Sequence, residues 1–207
     1  IRVLSYDVGG NFGTRNRIYV EFGLVLWASE KLKRPVKYLA TRSEAFLSDY
    51  QGRDLVSRVE LALKKDGTFL AMRATNISNV GARCVSLSPL AKGSALITAG
   101  YNIPVATMRA LGVFTNTMPT QAYRSSGRPE VNFVIERMIE LISKDLGIDK
   151  IELRRKNLLT PDVFPYRNPM NTLYDSGTYE VNMDLAMKIA DWDGFEARRD
   201  EAKARGK

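Results

Sequence analysis

Hydrophobic and polar positions predict a strand, a glycine-rich turn and a helix at the beginning of the chain. Apolar and polar residues alternate over residues 1–7, and the turn Gly9-Gly-Asn-Phe-Gly13 follows them. Residues 18–32 are apolar on almost every side of a helix. We therefore expect a helix that begins near Thr14, ends before Pro35 and is buried on most sides.

This order of elements has two interpretations. Glycines and a helix N-terminus together expose backbone N–H groups to an anionic or oxygen-rich ligand. The turn matches neither the dinucleotide-binding fingerprint nor the phosphate-binding loop of P-loop enzymes. A tight turn that packs a strand against a helix is therefore the simpler interpretation of this stretch alone.

A hairpin is the clearest prediction in the middle of the chain. Residues 55–74 alternate between apolar and polar around the turn Asp66-Gly67. The sequence Asn76-Ile-Ser formally matches a glycosylation acceptor, and we interpret it as a strand end. Before the hairpin, residues 41–44 form a polar break; after it, we expect a short helix within residues 81–100 and a strand at 106–115.

The opening pattern then recurs. A polar loop, residues 116–127, follows the strand that ends near Phe114, and Pro129 with Glu130 begins a helix. The apolar residues of this helix form one stripe, which consists of Val131, Ile135, Met138, Ile139, Ile142 and Leu146.

The remaining elements complete an α+β fold with mixed sheets, packed helices and two strand–loop–helix units. Asp149 caps a helix at residues 151–158, residues 161–179 are irregular, and residues 182–207 are helical. If the two loops point to one place, their backbone N–H groups can hold one polyanionic ligand from two sides. We divide the chain into a domain of residues 1–180 and a helical extension, residues 181–207.

Composition narrows the function classes. The 207 residues carry a net charge of +8, which leaves a basic nucleic-acid-binding module as one alternative. The basic residues are scattered, however, and no aromatic–basic interleaving accompanies them, so we expect no nucleic acid. No apolar run reaches the length of a membrane span. The chain begins with Ile and has no signal-peptide pattern, so we expect a cytoplasmic protein and a processed piece or an excised domain.

Two residue types are nearly or wholly missing. The chain has no histidine, which excludes histidine-based triads and metal sites within it. The single cysteine, Cys84, cannot form a disulfide within the chain or a zinc site alone, and we expect it to be a small buried residue. Chemistry here must use a cofactor, carboxylates or residues supplied from elsewhere.

Several motifs occur in an order that resembles a known family. They are Gly9-Gly-Asn-Phe-Gly13, Tyr101-Asn-Ile-Pro104, Ala122-Tyr-Arg-Ser-Ser-Gly-Arg-Pro-Glu130, Leu146-Gly-Ile-Asp-Lys-Ile-Glu-Leu-Arg-Arg-Lys-Asn-Leu158, Phe164-Pro-Tyr166 and Tyr174-Asp-Ser-Gly177. Together they resemble a central part of the molybdopterin-binding large subunit of the xanthine oxidase family. That family includes xanthine dehydrogenases, aldehyde oxidoreductases and aerobic carbon monoxide dehydrogenases.

The resemblance implies a molybdenum–molybdopterin cofactor, with a cytosine dinucleotide form in many bacteria. It implies that the backbone at Phe12 and Gly13, next to Gly10, lies beside the molybdenum, and that Arg124 donates its backbone N–H there, next to Ser125. The resemblance further implies that no side chain of this chain needs to ligate the metal. Arg128 either contacts the cofactor or pairs with Glu130 or a neighbouring residue, and we expect Tyr123 to pack under the loop.

The resemblance also implies hydroxylation with oxygen from water and a glutamate as general base. That glutamate is expected beyond Lys207, so the chain contains no catalytic residue of its own. Electrons are expected to leave through iron–sulfur clusters and FAD on partner subunits or domains, in an oligomer when the protein is full length. The alternative is a fragment that binds no cofactor and is inactive.

Three positions of the expected substrate pocket depart from the purine-oxidising branch. Asn16 stands where those enzymes have glutamate, Lys92 stands near their arginine, and Ser126 replaces an aromatic residue. We therefore expect an aldehyde or an aromatic heterocycle as the small-molecule substrate. A carbon monoxide dehydrogenase is an alternative that Ser125 disfavours, since a hydroxyl replaces the copper-binding cysteine.

Overall fold

The computed structural model describes residues 2–207 and contains helices and strands in mixed order. The helices are α1 (Val20–Leu32), α2 (Arg42–Ser48), α3 (Ser88–Ala95), α4 (Arg128–Leu146), α5 (Lys150–Asn157), α6 (Tyr179–Ile189) and α7 (Phe195–Ala204). The strands are β1 (Leu55–Leu63), β2 (Phe69–Gly81), β3 (Val105–Phe114), β4 (Tyr166–Arg167) and β5 (Leu173–Tyr174). A three-stranded sheet has the order β1-β2-β3, and β4 pairs antiparallel with β5. The α+β prediction is confirmed.

The chain forms two compact units. The first runs up to Glu60 and includes Arg73–Ile97 and Thr107–Glu136. The second contains Leu61–Met72, Thr98–Ala106 and Arg137–Lys207.

The predicted first strand is wrong for residues 2–7, and residue 1 lies outside the described residues. This segment is exposed and belongs to no strand. A strand exists only where a neighbour accepts and donates its ladder hydrogen bonds, and local alternation does not supply that neighbour. The first of the two predicted strand–loop–helix units therefore lacks its strand.

Helix α1 differs from its prediction in two ways. It ends at Leu32, before Pro35, as expected, but it begins at Val20 because turns occupy residues 12–17. It also has no buried residue, and Leu26 is 70% exposed and Trp27 is 59% exposed. The prediction of burial on most sides is wrong, because an apolar helix is buried only where another element covers it, and residues 2–207 leave α1 with only a few half-buried positions.

The hairpin of β1 and β2 is confirmed, with Gly67 N–H donating to the Lys64 carbonyl at 2.9 Å. Strand β2 continues to Gly81, so Asn76 lies inside a strand and the predicted strand end is wrong. Asn76 is fully buried, and its Oδ1 accepts a hydrogen bond from Ser57 Oγ at 2.7 Å. A glycan therefore has no access to this asparagine in the folded protein.

Asn157 organises the second unit. This buried side chain accepts a hydrogen bond from Phe69 N–H at 2.8 Å and donates to the carbonyls of Gly67 and Leu153 at 3.0 and 2.9 Å. It thereby fastens the end of α5 to the hairpin turn. At the start of α5, Asp149 accepts from the N–H groups of Ile151 and Glu152, as its predicted capping role requires.

The turn of the hairpin carries a second link to α5. Asp66 accepts from Thr68 N–H at 3.0 Å and pairs with Lys156 Nζ at 3.0 Å. The hydrogen bond from the Thr68 backbone, followed by those from Lys156 and the Thr68 hydroxyl, lowers the pKa of Asp66. Asp66 therefore remains ionised at neutral pH.

The second strand–loop–helix unit is confirmed as β3, the loop at 115–127 and α4. Val131, Ile135 and Ile139 of the predicted stripe are fully buried. Cys84, in contrast, is exposed in the loop before α3, because residues 82–84 form the exposed part of that loop, so the prediction of a buried residue is wrong. No helix within residues 2–207 is long and apolar enough to cross a membrane.

Candidate functional site

The two loops singled out in the sequence lie against each other in the first unit. The Arg124 N–H donates to the Phe12 carbonyl at 2.7 Å. A Cβ atom on Gly13 would lie 2.7 Å from the Ala122 carbonyl oxygen, so only glycine permits this approach. The two loops therefore reach the same place, as a shared binding site requires.

Both loops contain residues in the left-handed region. In the first loop, φ is 51° at Phe12 and 98° at Gly13. In the second, φ is positive at four successive residues, Arg124, Ser125, Ser126 and Gly127. A left-handed conformation costs a non-glycine residue about 1–2 kcal/mol, and such strain is concentrated at binding and catalytic sites.

The first loop is held by its own side chains. Gly13 N–H donates to Asn11 Oδ1 at 2.8 Å, and Gly10 is exposed beside the Phe12 ring. The Phe12 and Tyr123 rings lie 6.5 Å apart between centroids, so the two loops also meet through aromatic side chains. The Phe12 side chain is exposed, whereas its backbone carbonyl accepts the hydrogen bond from the second loop.

Gln121 joins the predicted pocket residue Asn16 to the second loop. Its fully buried side chain donates from Nε2 to Asn16 Oδ1 at 2.9 Å and accepts from Ala122 N–H at 2.7 Å. Its own backbone N–H donates to the Gln51 carbonyl at 2.8 Å. Gln121 was not among the residues predicted from the sequence, where its only signal was an amide side chain directly before the Ala122-Tyr-Arg motif.

Arg53 contacts the second loop with its side chain, and it too was not predicted from the sequence. Its Nη2 donates to the Arg124 carbonyl at 2.6 Å, and its Nη1 pairs with Glu130 at 3.1 Å. Its guanidinium stacks on Tyr123, 5.3 Å from the ring centroid. Both backbone groups of Arg124 are therefore hydrogen-bonded: its N–H donates to the Phe12 carbonyl, and its carbonyl accepts from Arg53.

The other predicted residues take different positions. Ser125 is exposed at the tip of the second loop, and its carbonyl accepts from the backbone N–H and the guanidinium of Arg128, both at 3.3 Å. Ser126 is buried, with its Oγ 3.0 Å from Ser88 Oγ at the start of α3. Lys92 is exposed on α3. Glu130 pairs with Arg53, and the partner that the structure gives the Arg128 guanidinium is the Ser125 carbonyl.

Comparison with known proteins decides the family. Residues 1–158 match the family described as the molybdopterin cofactor-binding domain. The chain belongs to this family. The match covers about three quarters of the chain and confirms the resemblance drawn from the motifs.

Relatives of this chain are molybdenum hydroxylases. It is 38% identical to the carbon monoxide dehydrogenase large chain of Afipia carboxidovorans and 30% identical to the 6-hydroxypseudooxynicotine dehydrogenase complex subunit gamma of Paenarthrobacter nicotinovorans. These alignments cover 99% and 100% of the chain but only 26% and 27% of the relatives. The chain thus spans about a quarter of their length.

A solved structure gives the same result for the fold. Quinoline 2-oxidoreductase from Pseudomonas putida 86 superimposes with a TM-score of 0.88 at 32% identity. The superposition covers 97% of this chain and 26% of that protein. The fold of this domain is therefore that of the corresponding part of a molybdenum hydroxylase.

The residues at the two loops fit a molybdopterin cofactor. Among residues 2–207, no group of three or more His, Cys, Asp or Glu side chains is arranged to hold a metal ion. The loops offer backbone N–H groups, and those of Phe12 and Ser125 have no acceptor within the described residues. Such donors suit the oxygen atoms of a metal–oxo group or a pterin.

Proposed function

We propose that this chain is the part of a molybdenum hydroxylase large subunit that holds the molybdenum end of the cofactor. The observation that carries the proposal is the contact between two left-handed loops through the Arg124–Phe12 hydrogen bond. The proposed substrate is an aldehyde or an aromatic heterocycle, and the proposed oxygen source is water. The cofactor, when bound, supplies the two-electron oxidation.

The chain's own residues position the cofactor and do not transfer protons. The N–H groups of Phe12 and Ser125 are the proposed donors, with Gly10 and Gly13 leaving the backbone accessible. The Arg124 N–H, which the resemblance assigned to the cofactor, donates instead to the Phe12 carbonyl in this structure. Glu130 is not a base, because it is held in its ion pair with Arg53. We propose that a glutamate outside this chain fills that role, which makes the chain inactive by itself.

The substrate class follows from the pocket positions. Asn16 offers an amide in place of a carboxylate, and Ser126 points its hydroxyl to Ser88, so neither the charge nor the stacking surface for a purine is present. Quinoline 2-oxidoreductase and the 6-hydroxypseudooxynicotine dehydrogenase complex, both named for heterocyclic compounds, support an aromatic heterocycle.

Carbon monoxide oxidation is a second candidate, because the carbon monoxide dehydrogenase large chain is a relative at 38% identity. Ser125 argues against it, since a hydroxyl is a weak ligand for copper. Copper analysis of the purified protein separates the two. Copper bound in equal amount to molybdenum would favour the second candidate.

The proposal also covers the form of the cofactor, the partner subunits, the oligomeric state and the cellular location. We propose the cytosine dinucleotide form of the cofactor, partner subunits with iron–sulfur clusters and FAD, and an oligomeric, cytoplasmic enzyme. The subunit names of the relatives support partner subunits, and the single cysteine fits a reducing compartment. We also retain the division into residues 1–180 and a helical extension at 181–207.

The substitution Gly13→Val tests the loop assignment. A branched side chain at this left-handed position meets the Ala122 carbonyl and separates the loops, so we expect molybdenum occupancy to fall at least tenfold. Occupancy is measured by mass spectrometry of the metal in the whole protein that carries this chain.

Gly9→Val is the matched control, because a Cβ atom there meets nothing within 4 Å. We expect it to keep its molybdenum. Circular dichroism establishes that both variants are folded, and Gly13→Ala replaces Gly13→Val if the larger residue prevents folding. Equal molybdenum in the Gly13 and Gly9 variants would refute the assignment.

A further inference from the structure

A cavity of about 470 Å³ lies in the first unit, next to the loop at Tyr123. Three arginines line it, Arg15, Arg42 and Arg53, together with a single carboxylate, Asp49. Its volume lies in the range of small-molecule sites, and none of its arginines was a candidate in the sequence.

Most of the charge in this cavity is already neutralised. Arg15 Nη2 pairs with Asp49 Oδ2 at 2.8 Å, and Arg53 pairs with Glu130 at 3.1 Å. The Tyr19 hydroxyl is hydrogen-bonded to the same Asp49 carboxylate. Burial, followed by that hydrogen bond, raises the pKa of Tyr19, so its hydroxyl stays a donor and adds no negative charge.

Arg42 is the exception. Its guanidinium lies 6.0 Å from the centroid of the Phe46 ring, and within residues 2–207 no carboxylate forms an ion pair with it. The ring orients the guanidinium without neutralising it, which leaves five N–H donors available. A concave surface with one unneutralised guanidinium and two others nearby attracts anions.

We infer that this cavity binds a phosphate group, with Arg42 as its principal ligand. The planar fork of an arginine donates two parallel hydrogen bonds to a phosphate, and the one carboxylate that lines the cavity, Asp49, is already paired with Arg15. The group belongs either to free inorganic phosphate or to a phosphate monoester, and the cavity volume is sufficient for a monoester of nucleotide size.

The cavity adjoins the proposed cofactor site through Tyr123 and Arg53, but its proposed phosphate ligand, Arg42, does not belong to that site. The contact that the structure gives for the Arg42 side chain is with Phe46, outside both loops. A protein that loses phosphate binding but retains molybdenum therefore separates the two proposals, as does the reverse outcome.

Titration calorimetry tests the site, with inorganic phosphate and adenosine monophosphate as the two probes, in a phosphate-free buffer of fixed ionic strength. The test protein is the whole protein that carries this chain. We expect Arg42→Met to weaken binding of the probes at least tenfold, and Arg42→Lys to weaken it less because the charge remains.

Arg58→Met is the matched control, since Arg58 is exposed on β1 and does not line the cavity. We expect its affinity to stay within twofold of the parent protein. Tighter binding of adenosine monophosphate identifies a monoester as the ligand, and equal affinities identify free phosphate.

Two results would overturn the inference. One is the absence of heat for both probes with the parent protein. The other is an equal loss of affinity in the Arg42 and Arg58 variants, which would mean that only net charge matters. Arg42 is exposed in the first turn of α2, so thermal melts are expected to show all three variants folded.

Discussion

Helices α1 and α4 are both rich in apolar residues and both follow a loop of the candidate site, but their environments are opposite. Helix α4 places Val131, Ile135 and Ile139 at full burial on one stripe. Helix α1 buries no residue, although its composition is more apolar. The hydrophobic content of a helix thus does not determine its burial.

The difference lies in how the apolar residues are arranged. Charged side chains on the outer face of α4 restrict the helix to one orientation, which directs its stripe to the interior. The apolar residues of α1 surround the helix and specify no orientation. Amphipathic order predicts a buried face, whereas uniform hydrophobicity only indicates that a partner surface is required.

The largest effect is expected from Ile135→Ala. Removal of a fully buried isoleucine leaves a cavity and should lower the free energy of unfolding by about 2–5 kcal/mol. Urea denaturation followed by circular dichroism measures the change. Phe133→Ala on the same helix is the control, because Phe133 is 71% exposed and its loss should cost less than about 1 kcal/mol. If both substitutions lowered the free energy of unfolding equally, burial would not distinguish the two faces of α4.

An intermediate effect is expected from Asn157→Ala, which extends the comparison to buried polar groups. The substitution leaves the Phe69 N–H and the Gly67 carbonyl without partners, and we expect a loss of roughly 2 kcal/mol. Asn182→Ala, at an exposed position of α6, controls for loss of an asparagine from a helix. A stability of Asn157→Ala equal to that of the control would contradict the role of Asn157 in fastening the turn.

The smallest effect is expected from Leu26→Ala on α1. Because Leu26 is 70% exposed, the free energy of unfolding of this chain should change by less than about 0.5 kcal/mol. Binding of a hydrophobic dye, by contrast, should decrease, since the exposed apolar surface becomes smaller. A loss of stability similar to that of Ile135→Ala would show that α1 is covered within this chain.

Sequence patterns predicted the elements that are stabilised locally or by one amphipathic face. The hairpin at Asp66-Gly67 and the Asp149 cap are local, and the α4 stripe needs only an interior to face. The strand expected at residues 2–7 failed because pairing depends on a distant segment. Helix α2 was missed although Thr41 and Glu44 form a capping box, a pattern that the polar break concealed.

The candidate site shows the same limit. The two loops were recognisable from their glycines and their place before helices, and their contact agrees with that expectation. Gln121 and Arg53 were not recognisable, because each acts through partners more than 70 residues away along the chain. A single amide or guanidinium carries no pattern that identifies such a partner.

The hydrogen bond from Arg124 N–H to the Phe12 carbonyl reduces the free energy that a ligand can gain by binding to this N–H. A ligand that takes this N–H must displace a protein carbonyl, so the net gain is only the difference between two acceptors. A neutral acceptor gains almost nothing from that exchange, whereas an ionised oxygen forms a bond about twice as strong. At this one N–H, therefore, an ionised oxygen competes with the Phe12 carbonyl far better than a neutral oxygen does, whereas the N–H groups of Phe12 and Ser125 donate to either kind of ligand oxygen.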